Sequence, residues 1–425
     1  MSFFNSVFWG DLKLALSILG EFWWVYLPVL LALAFYNSWI SLKKFEYLNS
    51  LKWVVLKIKP PPQSDRSLKA VEQIFAGLHG IYIGSTNWKN RFFKGKVQDW
   101  FSLEIVGEEG ATNFYLRTLE NYKSLVMANI FAQYPNAEIF EVEDYMKKWP
   151  EKLPNEEYDL FGTEVLLAKD NAYPIVTYPI FEEKGMDPER LKIIDPLASV
   201  SEVFSTLQPG EHFIIQILIR PTNDSWTKEG QKVVDGILGK EVKKEAGFIE
   251  GIFAKIDSWL TFAPAKKEEK KEKKLSAPEE ETVKAIGHKI AKLGFKTGLR
   301  LIYISRKENF HRQHFAAIVG AFKQFASPNL NSFKPNSETM TFSKGYFSKI
   351  FPSDKGFLAD QLVAKKKVEA IRALRVRSFP PEKYFILNTE ELATIFHLPG
   401  TEVRAPLFPR VEAKKGQPPP GLAIE

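Results

Sequence analysis

From Phe22 to Leu42 the chain runs for 21 residues without a charge, FWWVYLPVLLALAFYNSWISL, between Glu21 and the pair Lys43-Lys44. At 1.5 Å per residue this reaches about 31 Å, close to the roughly 30 Å hydrocarbon core of a bilayer. The pattern predicts one transmembrane helix over 21–43. Trp23, Trp24 and Tyr26 stand at its entrance and Tyr36 and Trp39 near its exit, where interfacial aromatic belts sit, and Lys43 and Lys44 close it. Pro28 falls in the first turns, where a missing backbone donor costs least. A cleaved signal peptide and a buried core helix are the competing readings. The first should open on a basic segment with a shorter apolar run, and the second is rarely uncharged for so long. Lys43, Lys44, Lys52, Lys57 and Lys59 follow the span, against Lys13 and Asp11 before it, so the positive-inside rule puts the N-terminus outside and the bulk in the cytoplasm. Within 1–20, Phe4, Phe8, Leu12 and Leu16 share one helical stripe, the pattern of an amphipathic segment on the outer face.

Beyond the span, strand and helix patterns alternate. Trp53–Lys59 is a β-branched run ended by three prolines, and 68–78 carries apolar residues at 68, 71, 74, 75 and 78, a helical spacing. Runs at 100–106 and 113–117 flank Gly107 and Gly110 as a hairpin, 119–134 reads as helix and 137–142 as strand. The order βαββαβ predicts a ferredoxin-like domain over 50–146. The order returns over 158–345. Leu68–Leu78 aligns with Leu197–Leu207 at an offset of 129, and Phe101–Val106 matches Phe213–Ile219 at 112. Glu120-Asn121-Tyr122 matches Glu308-Asn309-Phe310 at 188, which carries Asn113–Arg117 onto Leu301–Ser305. An ordered internal repeat argues for duplicated architecture. The fold class expected is therefore α+β: an N-terminal transmembrane helix, then two ferredoxin-like (βαββαβ) domains.

The second copy carries an insertion over 221–296. It reads as a helix over 226–262, a charged tract over 264–281 too polar to order itself, and a second helix over 281–293. Two readings stand side by side: a helical hairpin packed on its own domain, or a docking arm using the Phe248–Trp259 face. A C-terminal α/β segment over 346–403 and an extended, proline-rich basic tail over 404–425 complete the chain.

Composition narrows the chemistry. Apolar residues at 45% and charged residues at 26% are ordinary globular values, which leaves one span rather than a polytopic protein. The absence of cysteine excludes thiol catalysis, disulfides and cysteine-ligated metal. No G-x-x-x-x-G-K-[ST], H-E-x-x-H or G-x-S-x-G occurs, and His311 and His314 are the one close histidine pair. No enzyme and no cofactor are expected. Lys365, Lys366, Lys367, Arg372, Arg375 and Arg377 make 363–377 a basic helix able to track phosphates, or equally a solvated face.

Near the C-terminus, a strand at 384–387 leads into Asn388-Thr389-Glu390-Glu391, where Asn388 caps a helix and Glu391 completes a capping box. The stretch Ile386–Gly400 with Arg410–Pro419 resembles the segment preceding the motor domain in bacterial conjugation and type IV secretion ATPases of the HerA-FtsK-like kind. Ala70–Gly80 and Trp100–Ile105 are similar to the membrane-anchored, non-catalytic N-terminal region of those proteins. The sequence holds no phosphate loop, so the resemblance implies a front module whose motor comes from another chain.

These features lead to a non-catalytic scaffold or adaptor on the bacterial inner membrane for a secretion-type motor ATPase. Asn388, Glu391, Leu392, Phe396 and His397, with the tail, are its expected partner contacts, and self-association is compatible with it. On that reading, stopping the chain at residue 378 abolishes partner binding and leaves the first domain folded. The alternative is a membrane-tethered nucleic-acid-binding module using the 363–377 face.

Overall fold

A computed structural model describes residues 20–21, 23–61, 67–84, 87–182, 195–239, 275–341, 357–380 and 384–399. The outer-face segment over 1–19, the Phe248–Trp259 arm and the 404–425 tail lie outside the described residues. In chain order the elements are α1 (Trp23–Ser50), β1 (Trp53–Lys59), α2 (Leu68–Leu78), α3 (Trp88–Lys94), β2 (Phe101–Glu108), β3 (Ala111–Leu119), α4 (Lys123–Gln133) and β4 (Glu138–Val142). There follow β5 (Tyr158–Leu167), α5 (Tyr178–Glu182), α6 (Ala198–Ser205), β6 (Glu211–Pro221), α7 (Ser225–Ile237), α8 (Ala277–Ile290) and β7 (Gly294–Arg306). The last are α9 (Arg312–Ala321), β8 (Phe333–Pro335), α10 (Phe357–Val376), β9 (Phe385–Asn388) and α11 (Thr389–Ile395).

Two compact units result: Met1–Lys52 with Ile83–Asp99, and Trp53–Tyr82 with Trp100–Glu425. The second is built on one nine-stranded antiparallel sheet in the order β4-β1-β3-β2-β6-β7-β5-β8, with β9 paired to β7. The fold is thus α+β with a single sheet through both halves of the chain, joined where β2 meets β6 from Phe101↔Ile219 to Glu108↔His212.

Alternation along the strands assigns two faces. Phe101, Leu103 and Ile105 of β2 join a large core with Val71 and Phe75 of α2, Val126 and Ile130 of α4, Phe204 of α6, Phe315 and Ile318 of α9 and Leu392 of α11. The opposite side chains, among them Val106, Tyr115, Ile214 and Ile302, pack with Ile371 and Leu374 of α10. Covered on both faces, β6 reads as the near-continuous apolar run FIIQILI. Gly107 marks one close approach, since a Cβ there would lie 2.5 Å from the Phe204 ring. The β2–β3 hairpin closes at Glu109 and Gly110 with φ of 50° and 82°, the two left-handed residues that a tight hairpin requires.

Register corrects one alignment. Leu103↔Leu116 in the β2–β3 pair corresponds to Ile215↔Leu301 in β6–β7, so β2 maps to β6 at 112 and β3 to β7 at 185, not 188. An offset of 188 would superpose Tyr115 on Tyr303, which belong to opposite faces, because an odd slip turns every side chain over. The turn residues at Glu308–Phe310 keep the 188 offset because the second copy is three residues longer between strand and turn.

The insertion starts and ends as two packed helices. Val234 of α7 and Ile286 of α8 share a small core, and Gly230 admits Ile290 so closely that a Cβ would sit 2.5 Å from it. Helix α7 stops at Ile237, ahead of the left-handed Gly239 (φ 72°), so the helix expected over 226–262 ends early in the described residues. Helix α8 begins at Ala277, four residues inside the stretch read as an unstructured charged tract. Ser276 and Glu279 explain this, with the Ser276 N–H donating to the Glu279 carboxylate at 2.9 Å and a proline in the first turn.

Candidate membrane anchor and C-terminal site

Helix α1 is one uninterrupted element of 28 residues, and no part of its most apolar stretch is buried inside the protein. Among the described residues Trp23 (55% exposed), Trp24 (61%), Leu31 (60%) and Phe35 (65%) remain largely uncovered despite their apolar character. Pro28 stays inside the helix. The end near Lys43 is different. The Trp39 indole N–H donates to the Phe92 carbonyl at 3.0 Å, and the Phe92 ring lies 6.0 Å from Tyr36 and 6.2 Å from Trp39. The Lys43 ammonium sits over the Trp39 ring and pairs with Glu46 at 2.8 Å. Lys44, the second closing lysine, is on the exposed side of the helix. Helix α3, which supplies Phe92, had no distinct pattern in WKNRFFK, because it meets α1 through Phe92 and the following Gly95 and has no sheet-facing stripe.

The C-terminal motif takes the local form its residues predict. Asn388 accepts from the Glu391 N–H at 2.8 Å, and Glu391 accepts in return from the Asn388 N–H at 2.9 Å. Its placement corrects the partner-binding expectation. Asn388, Glu391, Leu392, Phe396 and His397 are all buried, so none presents a docking surface. Leu392 and Phe396 enter the main core, with Phe396 edge-on to Phe114 at 6.1 Å. His397 lies 2.9 Å from both the Ala393 carbonyl and Asp195. Glu391 also accepts from the Ile175 N–H at 3.0 Å and meets the Lys289 ammonium at 3.2 Å with both side chains fully buried. Burial is the largest influence on each, raising the Glu391 pKa and lowering that of Lys289, with their mutual attraction opposing it. A cap that satisfies three internal donors is a staple of the fold.

Helix α10 and the residue after it likewise turn four of the six expected cations inward. Lys367 pairs with Asp159 at 2.6 Å, Lys366 reaches the Ser337 carbonyl at 3.5 Å, and Arg375 donates to the carbonyls of Trp149, Pro150 and Glu151. Arg377 is fully buried, donating to Glu104 at 2.9 and 3.1 Å and holding both oxygens of Asp144. Glu104 also accepts from Ser102 (2.6 Å), Gln216 (3.0 Å) and Tyr145 (2.9 Å), and Gln216 accepts from Arg300 at 2.9 Å. Burial alone would raise the Glu104 pKa; Arg377 and the surrounding donors outweigh it and hold it below the ordinary carboxylate value. Only Lys365, paired to Glu369 at 3.9 Å, and Arg372 remain well exposed among the six residues expected to form a phosphate-tracking face. The basic pattern therefore encodes the closure of the second sheet face. Arg377→Met should lower stability by about 3–5 kcal/mol by stranding the buried Glu104 carboxylate, and adding Glu104→Leu should recover part of that loss. Denaturation midpoints of the two variants in detergent check both.

His311 and His314 have ring centroids 5.8 Å apart, and His314 lies 3.6 Å from Glu211. Among the described residues no group of three or more His, Asp or Glu is arranged to hold a metal ion. A polar cleft of about 530 Å³ is lined by Lys69, Glu72, Tyr178, Lys284, His288, Lys292 and Glu390. Its Lys292 is engaged by Glu72 at 2.7 Å and by Glu390 at 2.5 Å.

A protein family described as a domain of unknown function (DUF8128) matches residues 41–407. The chain belongs to that family. No curated relative matches it.

Proposed function

We propose that this protein is a single-pass, membrane-anchored, non-catalytic scaffold whose cytoplasmic body serves a motor ATPase supplied by another chain. The observation that carries the membrane part is α1: a 28-residue helix whose uncharged stretch, entered by Trp23-Trp24 and closed by Lys43-Lys44, contains an apolar window with none of it buried inside the protein. The body is read as two ferredoxin-like halves. The order β4-β1-β3-β2 supports this, as does its mirror β6-β7-β5-β8, each the antiparallel 4-1-3-2 arrangement of a split βαβ. Glu104 and its repeat equivalent Gln216 face each other in register at the join, where a two-fold relation between the halves would put them. The charge networks on both sides of the sheet are spent on internal closure, which suits a rigid adaptor. The ATPase partner and the bacterial inner membrane rest on the resemblance of 386–400 and 70–80. With α11 buried, partner contact falls to exposed surface and to the tail.

Alkaline carbonate extraction of native membranes tests the anchor, combined with thiol labelling of the Lys307→Cys variant in sealed spheroplasts. The chain should stay in the membrane pellet, with the introduced thiol labelled only after lysis. Recovery in the supernatant overturns the anchor, and labelling of intact spheroplasts overturns the orientation.

A further inference from the structure

We propose that residues 87–96, the segment carrying α3, form a second membrane contact that lies in the headgroup layer of an anionic bilayer beside α1. This deepens the anchor reading and rests on it. The placement comes from contacts within one compact unit. Trp39 donates to the Phe92 carbonyl, Phe92 packs on Tyr36 and Trp39, and Trp88 stacks on Phe92 at 5.2 Å. Gly95, left-handed at φ 62°, presses the end of α3 so close to α1 that a Cβ would lie 2.1 Å from the Lys43 carbonyl oxygen. The segment is thereby fixed at the level of Trp39 to Lys43, four residues or about 6 Å along the helix axis. That is the depth at which a span leaves hydrocarbon for headgroups.

What the segment exposes at that level matches the layer. Trp88 is 58% exposed and Phe93 60%. Lys89, Arg91 and Lys94 are exposed around them, Lys96 is half-buried, and 87–96 holds no acidic residue. Bulky aromatics with a polar fringe suit the interface, and each cation near an anionic surface contributes about 1 kcal/mol. A water-facing loop gains nothing from this composition, whereas a bilayer receives both its rings and its charges. Through Phe92 and Gly95 the segment would also brace α1 against rotation about its axis.

The chain has no cysteine, so single-cysteine variants of the full protein carry one probe each. Phe93→Cys, Leu31→Cys and Lys307→Cys, each labelled with an environment-sensitive fluorophore, are reconstituted in vesicles of phosphatidylcholine with phosphatidylglycerol. Lipids spin-labelled at shallow or deep acyl positions then serve as quenchers. The probe at position 31 should be quenched best by the deep label and the probe at position 307 by neither. The probe at position 93 should be quenched about twofold better by the shallow label than by the deep one. That quenching should fall about twofold in phosphatidylcholine alone, or with K89Q, R91Q and K94Q combined, as lost surface charge predicts. An unquenched probe at 93 beside a quenched probe at 31 overturns the proposal and leaves the anchor standing. An unquenched probe at 31 overturns the anchor and the proposal together. Quenching at 93 that is indifferent to charge overturns the anionic-surface assignment.

Discussion

Ending the chain at residue 384 should abolish the cooperative unfolding transition of the sheet-bearing unit, including its first half. Phe385, Ile386, Leu387, Leu392, Ile395, Phe396 and Leu398 are all buried, and each such side chain contributes roughly 1.5–3 kcal/mol through burial. The same cut uncovers Phe114 and leaves the buried Lys289 without Glu391. It also removes the strand paired to β7 from Gly294↔Asn388 to Thr297↔Phe385 and the Thr389 hydroxyl that donates to Glu72 of α2 at 3.2 Å. A domain held by about 5–15 kcal/mol net does not survive losses on this scale. Circular dichroism melts and limited proteolysis of the truncated chain measure it. A retained sharp transition would show that the segment is dispensable and return it to the role of a docking arm.

The second large effect is expected in the span. Leu30 and Leu33 are 56% and 54% exposed on α1, so replacing both by arginine removes little protein packing. Each arginine near the middle of a span costs about 2.5–3.5 kcal/mol on the insertion scale, so the pair disfavours insertion by roughly a thousandfold or more. The variant should leave the carbonate-resistant pellet while the melt of the sheet-bearing unit stays unchanged. A variant that remains membrane-bound would place the holding energy elsewhere, with α3 and the first twenty residues the next elements to vary.

Local signals were the legible part of this fold. The uncharged run at 22–42 became α1, the Asn388/Glu391 pattern became a capping box, and the strand and helix spacings over 53–142 found their elements. These depend on neighbours in sequence. What failed to show was the tertiary use of polar residues. Asn388–Leu398 resembled a surface segment because it carries Glu390, Glu391 and His397, and the structure buries those groups by giving each a partner far along the chain. The basic run at 363–377 misled for the same reason: Asp159, Glu104 and Asp144, which neutralise it, lie more than 200 residues earlier. The strand register between the two halves was not readable, since a three-residue slip leaves similar aromatic patterns while reversing the faces. Trp100 makes a link of the same long-range kind: its indole N–H donates to the Arg377 carbonyl at 3.0 Å and ties the first half to the residue that follows α10.

The scaffold reading is tested most directly by cross-linking in intact cells, followed by detergent extraction, affinity capture of the full chain and mass spectrometry of the linked peptides. The account predicts a phosphate-loop ATPase joined to lysines of the sheet-bearing unit or to Lys414 and Lys415 of the tail, and retained after nuclease treatment. Capture of nucleic acid with no ATPase linked to the chain would contradict it.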